Sequence, residues 1–188
     1  MDNIILIGMP GSGKSTVGVL LAKTLGYGFL DTDLTIQQRE GALLQEILDQ
    51  RGLEPFLDAE EAAICSVECT GTVIAPGGSA VCREGAIGHL KELGTVVYLR
   101  VSLEALEGRL NNMSTRGIAL SPGQTLADVY NYRSPLYEKY ADLSLIHIWS
   151  LPPPPTTSSS SSPTRAGSTG RRAIRFPRPA AWLRAPIW

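Results

Sequence analysis

Along the first 143 residues, two kinds of hydrophobic pattern take turns. Unbroken aliphatic runs at residues 4–7, 73–75 and 95–99 suit short strands buried on both faces of a parallel sheet. Residues 26–30 read as a further short strand ending at Asp31-Thr32-Asp33. Between these runs, apolar residues recur at spacings of three and four, the mark of helices that bury one face. This spacing predicts helices over 17–25, 34–39, 43–51, 54–68, 84–93 and 103–110, with Gly52 separating the third from the fourth. A last helix is predicted over 125–140, with a break or kink where Arg133 and Pro135 fall inside its pattern. Strand and helix in alternation imply an α/β domain, a parallel sheet with helices on both faces.

Length and composition add two boundaries to this picture. The 188 residues suffice for one domain with an appendage, and 43% apolar residues can build its core. The formal charge of −1 gives no reason to expect a nucleic-acid or anionic-membrane partner. That value conceals two unlike parts. From Ser144 onward there are six arginines, no lysine and no acidic residue, so residues 1–143 carry a net charge of −7. Residues 144–188 include Pro152 to Pro155 and Ser158 to Ser162, which suit neither sheet nor helix and predict a disordered tail. The tail reads either as a basic arm for an acidic partner or membrane surface, or as a frameshifted or read-through sequence in place of the domain's own C-terminus. Residues 143–149 still have the pattern of a strand.

Cys65, Cys69 and Cys82 do not form a disulfide framework. Cys65 and Cys69, four apart on a predicted helix, are expected to be reduced, partly buried thiols of a cytoplasmic protein. The chain enters its first strand without a charged leader, and no apolar run approaches the length of a bilayer. His89 is expected on a helix surface and His147 in the last strand.

The chemistry centres on Gly8-Met9-Pro10-Gly11-Ser12-Gly13-Lys14-Ser15-Thr16, which follows the first strand and opens the first helix. Glycines at 8, 11 and 13 let backbone N–H groups converge on an anion, and the helix N-terminus adds partial positive charge. In such a loop Lys14 reaches the β- and γ-phosphates and the Ser15 hydroxyl reaches Mg²⁺. Asp31 and Asp33 sit at the C-terminal end of a strand, the edge where α/β proteins bind ligands. One carboxylate there can hold Mg²⁺ while the other accepts a hydrogen bond from an attacking hydroxyl. The alternative is that Asp33 or Thr32 caps the helix that follows. Pro76-Gly77-Gly78-Ser79 offers backbone donors at the end of another strand. Residues 111–117, polar and aperiodic, carry Arg116 and predict a lid that closes over transferring phosphate.

From about Asn3 to Asp142 the chain resembles a shikimate kinase, a small P-loop kinase of the nucleoside-monophosphate-kinase type. The resemblance rests on GMPGSGKST, FLDTD, EPFLDAEE, PGGSAV, VVYL, the Arg116 lid and RSPLYEKYAD. It implies a five-stranded parallel sheet with a central P-loop strand, and transfer of phosphate from ATP to a hydroxyl of shikimate by a cytoplasmic monomer. Carried over by position, Gly11, Ser12, Gly13, Lys14, Ser15 and Thr16 bind ATP, with Ser15 and Asp31 at Mg²⁺. Asp33 holds the acceptor hydroxyls and takes the proton, Arg116 covers the phosphates, and Arg109 packs on adenine. Arg133 binds the acceptor's carboxylate beside Gly77 and Gly78.

Three positions depart from the family pattern. Leu57 stands where an arginine usually forms the other arm of the carboxylate clamp, Ser79 replaces a third glycine, and Arg116 is followed by Gly117 rather than proline. Arg83 is the candidate to stand in for the arginine at 57. Two alternatives therefore remain, a sibling kinase with another hydroxylated acceptor and a nucleotide-binding protein without kinase activity.

Overall fold

A computed structural model of the chain describes residues 2–110 and 123–146. Within them the elements run β1 (Asn3–Ile7), α1 (Lys14–Leu25), β2 (Gly28–Asp31), α2 (Thr32–Glu40), α3 (Leu44–Arg51), α4 (Leu53–Cys65) and β3 (Thr72–Ala75). A single 3-10 turn (Ala80–Cys82) leads into α5 (Glu84–Leu93), β4 (Gly94–Arg100), α6 (Leu103–Leu110), α7 (Leu126–Tyr140) and β5 (Leu143–Ile146). The five strands form one parallel sheet in the order β2-β3-β1-β4-β5, so the strand feeding the glycine-rich loop lies at its centre.

Alternation along β1 divides the core. Ile5 and Ile7 pack with Ile74, Val96 and Tyr98 against α5 and α7, burying Ile87, Leu90, Val129 and Tyr137. Leu6 and Ile4 face the other way with Val73 and Val97, against Ala22 of α1. Helices thus cover both faces of the sheet, and its central strands read as continuous aliphatic runs because neither face meets water. A separate apolar cluster joins α2, α3 and α4 through Ile36, Ile47, Phe56, Leu57 and Ala63. The buried Asn3 holds two connections to the sheet: its amide donates to Cys69 O (2.7 Å) and Leu93 O (3.0 Å), and its oxygen accepts from Thr72 N (3.0 Å).

Several boundaries differ from the periodic reading. Helix α1 begins at Lys14 and α2 at Thr32, because both start at polar residues that carry no apolar signal. Helix α4 stops at Cys65, where the Ser66 hydroxyl bonds back to Ala63 O (2.7 Å). Cys69 is therefore not on that helix, and Cys65 is exposed rather than partly buried. Helix α7 runs through Pro135 without interruption. Proline removes one N–H donor, and the packing of Val129, Arg133 and Tyr137 holds the helix on either side of that loss. His89 is half-buried, its Nε2 2.9 Å from Val67 O, so it ties α5 to the chain after α4. The last strand takes residues 144–146 into the sheet, beyond the boundary at 143 that the charge pattern suggested. His147 and the rest of residues 147–188 lie outside the described residues. Among the described residues no helix is long and apolar enough to cross a membrane.

Candidate active site

The C-terminal ends of β1, β2 and β3 bring the predicted residues to one edge of the sheet. After β1, Gly11 and Gly13 have φ of 78° and 93°, left-handed values that glycine adopts without Cβ strain. The turn closes with Ser12 N donating to Met9 O (3.1 Å), and α1 starts directly behind it. Gly13 at the N-cap brings no side chain to cap this helix, which suits its first N–H groups to an anion. Ser12 is fully buried, and its hydroxyl has no hydrogen-bond partner among the described residues. Thr16 lies exposed in the first turn. Lys14 folds back over the loop and donates to Gly8 O (2.9 Å) and Met9 O (3.1 Å). Burial lowers the pKa of its ammonium to about 8, against the opposing pull of Asp33, Asp31 and Glu60.

Asp31, rather than Thr32 or Asp33, caps the helix that follows. One carboxylate oxygen caps α2 by accepting from Asp33 N (3.1 Å), and the other accepts from the Ser15 hydroxyl (2.9 Å). A hydroxyl and a carboxylate in contact, beside a phosphate-binding loop, are the hard oxygen donors that Mg²⁺ takes. No group of three or more His, Cys, Asp and Glu side chains gathers among the described residues. Magnesium needs none, since it keeps several waters and binds through one or two protein oxygens plus phosphates. The donor set fits the ion.

On the acceptor side, Asp33 stands in the first turn of α2 and faces the turn after β3. A Cβ on Gly77 would overlap Glu60 Oε1 and come within 2.9 Å of Asp33 Oδ1, so two carboxylates converge where the glycine leaves room. A Cβ on Gly78 would lie 2.7 Å from Pro10 Cδ, so the turn rests against the phosphate loop. Arg133, buried in α7, acts electrostatically on Lys14, Glu60 and Cys82 and thus reaches the same site. Arg109 of α6 donates to Gly11 O (3.1 Å), beside the phosphate loop. The structure accordingly gathers Gly11 to Ser15, Asp31, Asp33, Gly77, Gly78, Arg109 and Arg133, whereas Arg116 falls outside the described residues.

The departures acquire a structural setting. Leu57 is buried in the α2–α3–α4 cluster, where its side chain fills apolar space. Arg83 donates to Glu54 and Asp58 on the exposed side of α4, at 2.7 Å each. In this structure its guanidinium engages those exposed carboxylates. The Ser79 hydroxyl, at the position of the third glycine, is near enough to Glu60 to favour its ionised form.

Two site residues carried no signal of their own. Glu60, within EPFLDAEE, is 1% exposed, and neither carboxylate oxygen has a hydrogen bond of normal geometry among the described residues. Burial raises its pKa to about 7. Tyr137, four residues after Arg133 and so on the same helix face, donates to Gly78 O (2.5 Å) and stacks on Tyr98 with centroids 5.1 Å apart. The i, i+4 spacing was the available clue for Tyr137, and an acidic residue on the apolar face of α4 was the clue for Glu60.

Comparison with known proteins points the same way. The family model for shikimate kinase matches residues 10–147. The shikimate kinase of Pseudomonas fluorescens (strain Pf0-1) is 43% identical over 147 residues, covering 76% of this chain and 85% of that protein. That of Histophilus somni (strain 2336) is 39% identical, covering 76% and 84%. Among solved structures, shikimate kinase from Acinetobacter baumannii in complex with shikimate superposes with a TM-score of 0.71 at 33% identity, covering 78% of this chain and 84% of that one. Shikimate kinase from Aquifex aeolicus gives 0.64 at 31%, covering 77% and 86%. From the extent of the family match and the identity to these relatives, the chain belongs to the shikimate kinase family.

Proposed function

We propose that this chain transfers the γ-phosphoryl group of ATP to a hydroxyl of shikimate. The observation that carries the reading is the meeting, at one sheet edge, of a phosphate loop holding Lys14 and the Ser15–Asp31 pair with Asp33, Gly77 and Arg133. The solved relative holding shikimate supports the acceptor over other hydroxylated compounds.

In this reading the backbone of residues 11–16 and the Lys14 ammonium bind and orient the polyphosphate, and Arg109 closes the nucleotide side. Mg²⁺, held by Ser15 and Asp31, supplies charge neutralisation on the phosphate oxygens. Arg133 and the Gly77-Gly78 turn orient the acceptor through its carboxylate. Asp33 accepts the proton of the attacking hydroxyl as its oxygen bonds to the γ-phosphorus, while the bond to the bridging β–γ oxygen breaks and ADP leaves. Arg116 covers the transferring group. Positioning and charge neutralisation supply most of the rate, as is general for phosphoryl transfer.

The expected state is a monomer and the expected compartment the cytoplasm. The catalytic domain extends through β5, with the basic, proline- and serine-rich tail following it as a separate segment. A coupled ADP-release assay with ATP, Mg²⁺ and shikimate tests the reading. Turnover that collapses in Lys14→Ala and Asp33→Ala is expected. Normal ATP binding without turnover of shikimate would reject this acceptor.

A further inference from the structure

A loop that binds phosphate through backbone N–H groups must also keep its carbonyls turned away, because a carbonyl facing the anion opposes it. Lys14 holds Gly8 O (2.9 Å) and Met9 O (3.1 Å), and Val17 N of α1 holds Gly13 O (2.9 Å). Gly11 O is held from much farther along the chain: the half-buried Arg109 of α6, 98 residues on, donates to it from Nη1 at 3.1 Å. The N–H of the same peptide, that of Ser12, donates to Met9 O (3.1 Å). A peptide unit is planar, so the one between Gly11 and Ser12 is fixed at both ends, its oxygen by α6 and its nitrogen by the loop itself. Gly11, at φ of 78°, begins this peptide, and Gly13, at 93°, follows it. Glycine changes backbone conformation at little steric cost. A peptide that turned over here would exchange the places of its N–H and its oxygen.

We propose that Arg109 is a positioning residue for the phosphate loop: by holding Gly11 O it keeps the Gly11–Ser12 peptide in the orientation that receives a polyphosphate, whatever base is attached. The inference rests on the reading of residues 11–16 as the ATP phosphate site. It goes beyond the packing on adenine that the resemblance implies for this residue. Packing on adenine acts on the base and leaves affinity for a base-free polyphosphate untouched. A hold on Gly11 O acts on the loop, already in the ligand-free protein. Without it a smaller share of molecules carries the loop in its receiving shape, and affinity falls in proportion to that share. A hydrogen bond from a charged donor, discounted for the partial exposure of Arg109, sets the loss at roughly three- to tenfold.

The test compares the full chain with Arg109→Met, which keeps an aliphatic stem and removes the donor. First, ATP and inorganic tripolyphosphate, each with Mg²⁺, are titrated calorimetrically into both proteins. Both ligands should bind the variant more weakly by the same factor, roughly three- to tenfold, while the shikimate KM holds. Weakened ATP binding with wild-type affinity for tripolyphosphate overturns the proposal, and so does an equal rise in the shikimate KM, the mark of general loosening. Second, amide hydrogen exchange is followed in the ligand-free proteins. The Ser12 N–H should be protected in wild type and exchange faster in Arg109→Met. Direct attraction between guanidinium and phosphate exists only once ligand is bound, so weaker tripolyphosphate binding with unchanged Ser12 exchange overturns the proposal. An unprotected Ser12 N–H in wild type does the same without any variant. No binding of ATP or tripolyphosphate to wild type overturns the reading of the loop itself and the proposal with it.

Discussion

Gly77→Ala adds one methyl group at the point where Glu60 and Asp33 converge. The new Cβ would overlap Glu60 Oε1 and lie 2.9 Å from Asp33 Oδ1, so at least one carboxylate must move. Glu60 has little room to retreat, being 1% exposed and enclosed by α4 and the turn after β3. Asp33 is held at the start of α2, its own backbone N–H bonded to Asp31. Overpacking of a filled site costs about 1–3 kcal/mol, which corresponds to roughly 5- to 150-fold in an equilibrium constant. That loss should fall on acceptor binding, because Gly77 borders the acceptor side and Gly78, not Gly77, touches the phosphate loop. The expected result is a shikimate KM raised by this factor with ATP KM unchanged, read in the coupled ADP-release assay. Gly88→Ala is the control. Nothing lies within 4 Å of a Cβ there, and its place inside α5 predicts about 0.4–1 kcal/mol of stabilisation with unchanged kinetics. A Gly77→Ala enzyme with wild-type shikimate KM and wild-type melting temperature would refute the convergence of the two carboxylates.

Three further outcomes follow from the same geometry. Asp31→Asn keeps a side chain that caps α2 as well as aspartate does. It loses the charge beside Ser15, so the Mg²⁺ concentration for half-maximal rate should rise while melting temperature holds; an unchanged Mg²⁺ dependence would count against the metal assignment. Tyr137→Phe leaves Gly78 O without its donor and should destabilise the protein by about 1–3 kcal/mol, measured by urea unfolding. Glu60 provides a pH test of stability. Its folded pKa of about 7 exceeds the ordinary 4.5, so between those values the native state binds more protons than the unfolded chain, and stability declines as pH rises through that window. Glu60→Gln should remove that decline and exceed wild-type stability above pH 7 by up to about 3 kcal/mol. Melting curves at pH 5 and pH 7.5 compare the two.

What the sequence determined by itself was the part of this protein written in contiguous residues. Aliphatic runs too short for helices specified the strands, and spacing of three and four specified the covering helices. The loop from Gly8 to Thr16 declared its chemistry because a phosphate cradle is made from consecutive backbone amides. The chain's motifs also carried the resemblance to the family, and through it the roles proposed for Asp33, Arg109 and Arg133.

Tertiary structure alone decided how residues distant in the chain meet. Asp31 was expected at a metal and the helix cap at Thr32 or Asp33, and only the fold brings Ser15 to one Asp31 oxygen and Asp33 N to the other. Nothing along the chain singled out the acidic residue at 60, and only the packing of α4 turns it inward against Gly77. Arg83 was the candidate to replace a missing arginine, and only the fold shows it set against Glu54 and Asp58. The physical reason is common to all three. A side chain's charge and hydrogen bonding depend on burial and on partners tens of residues away, and periodicity along the chain records which face is apolar but not what that face meets.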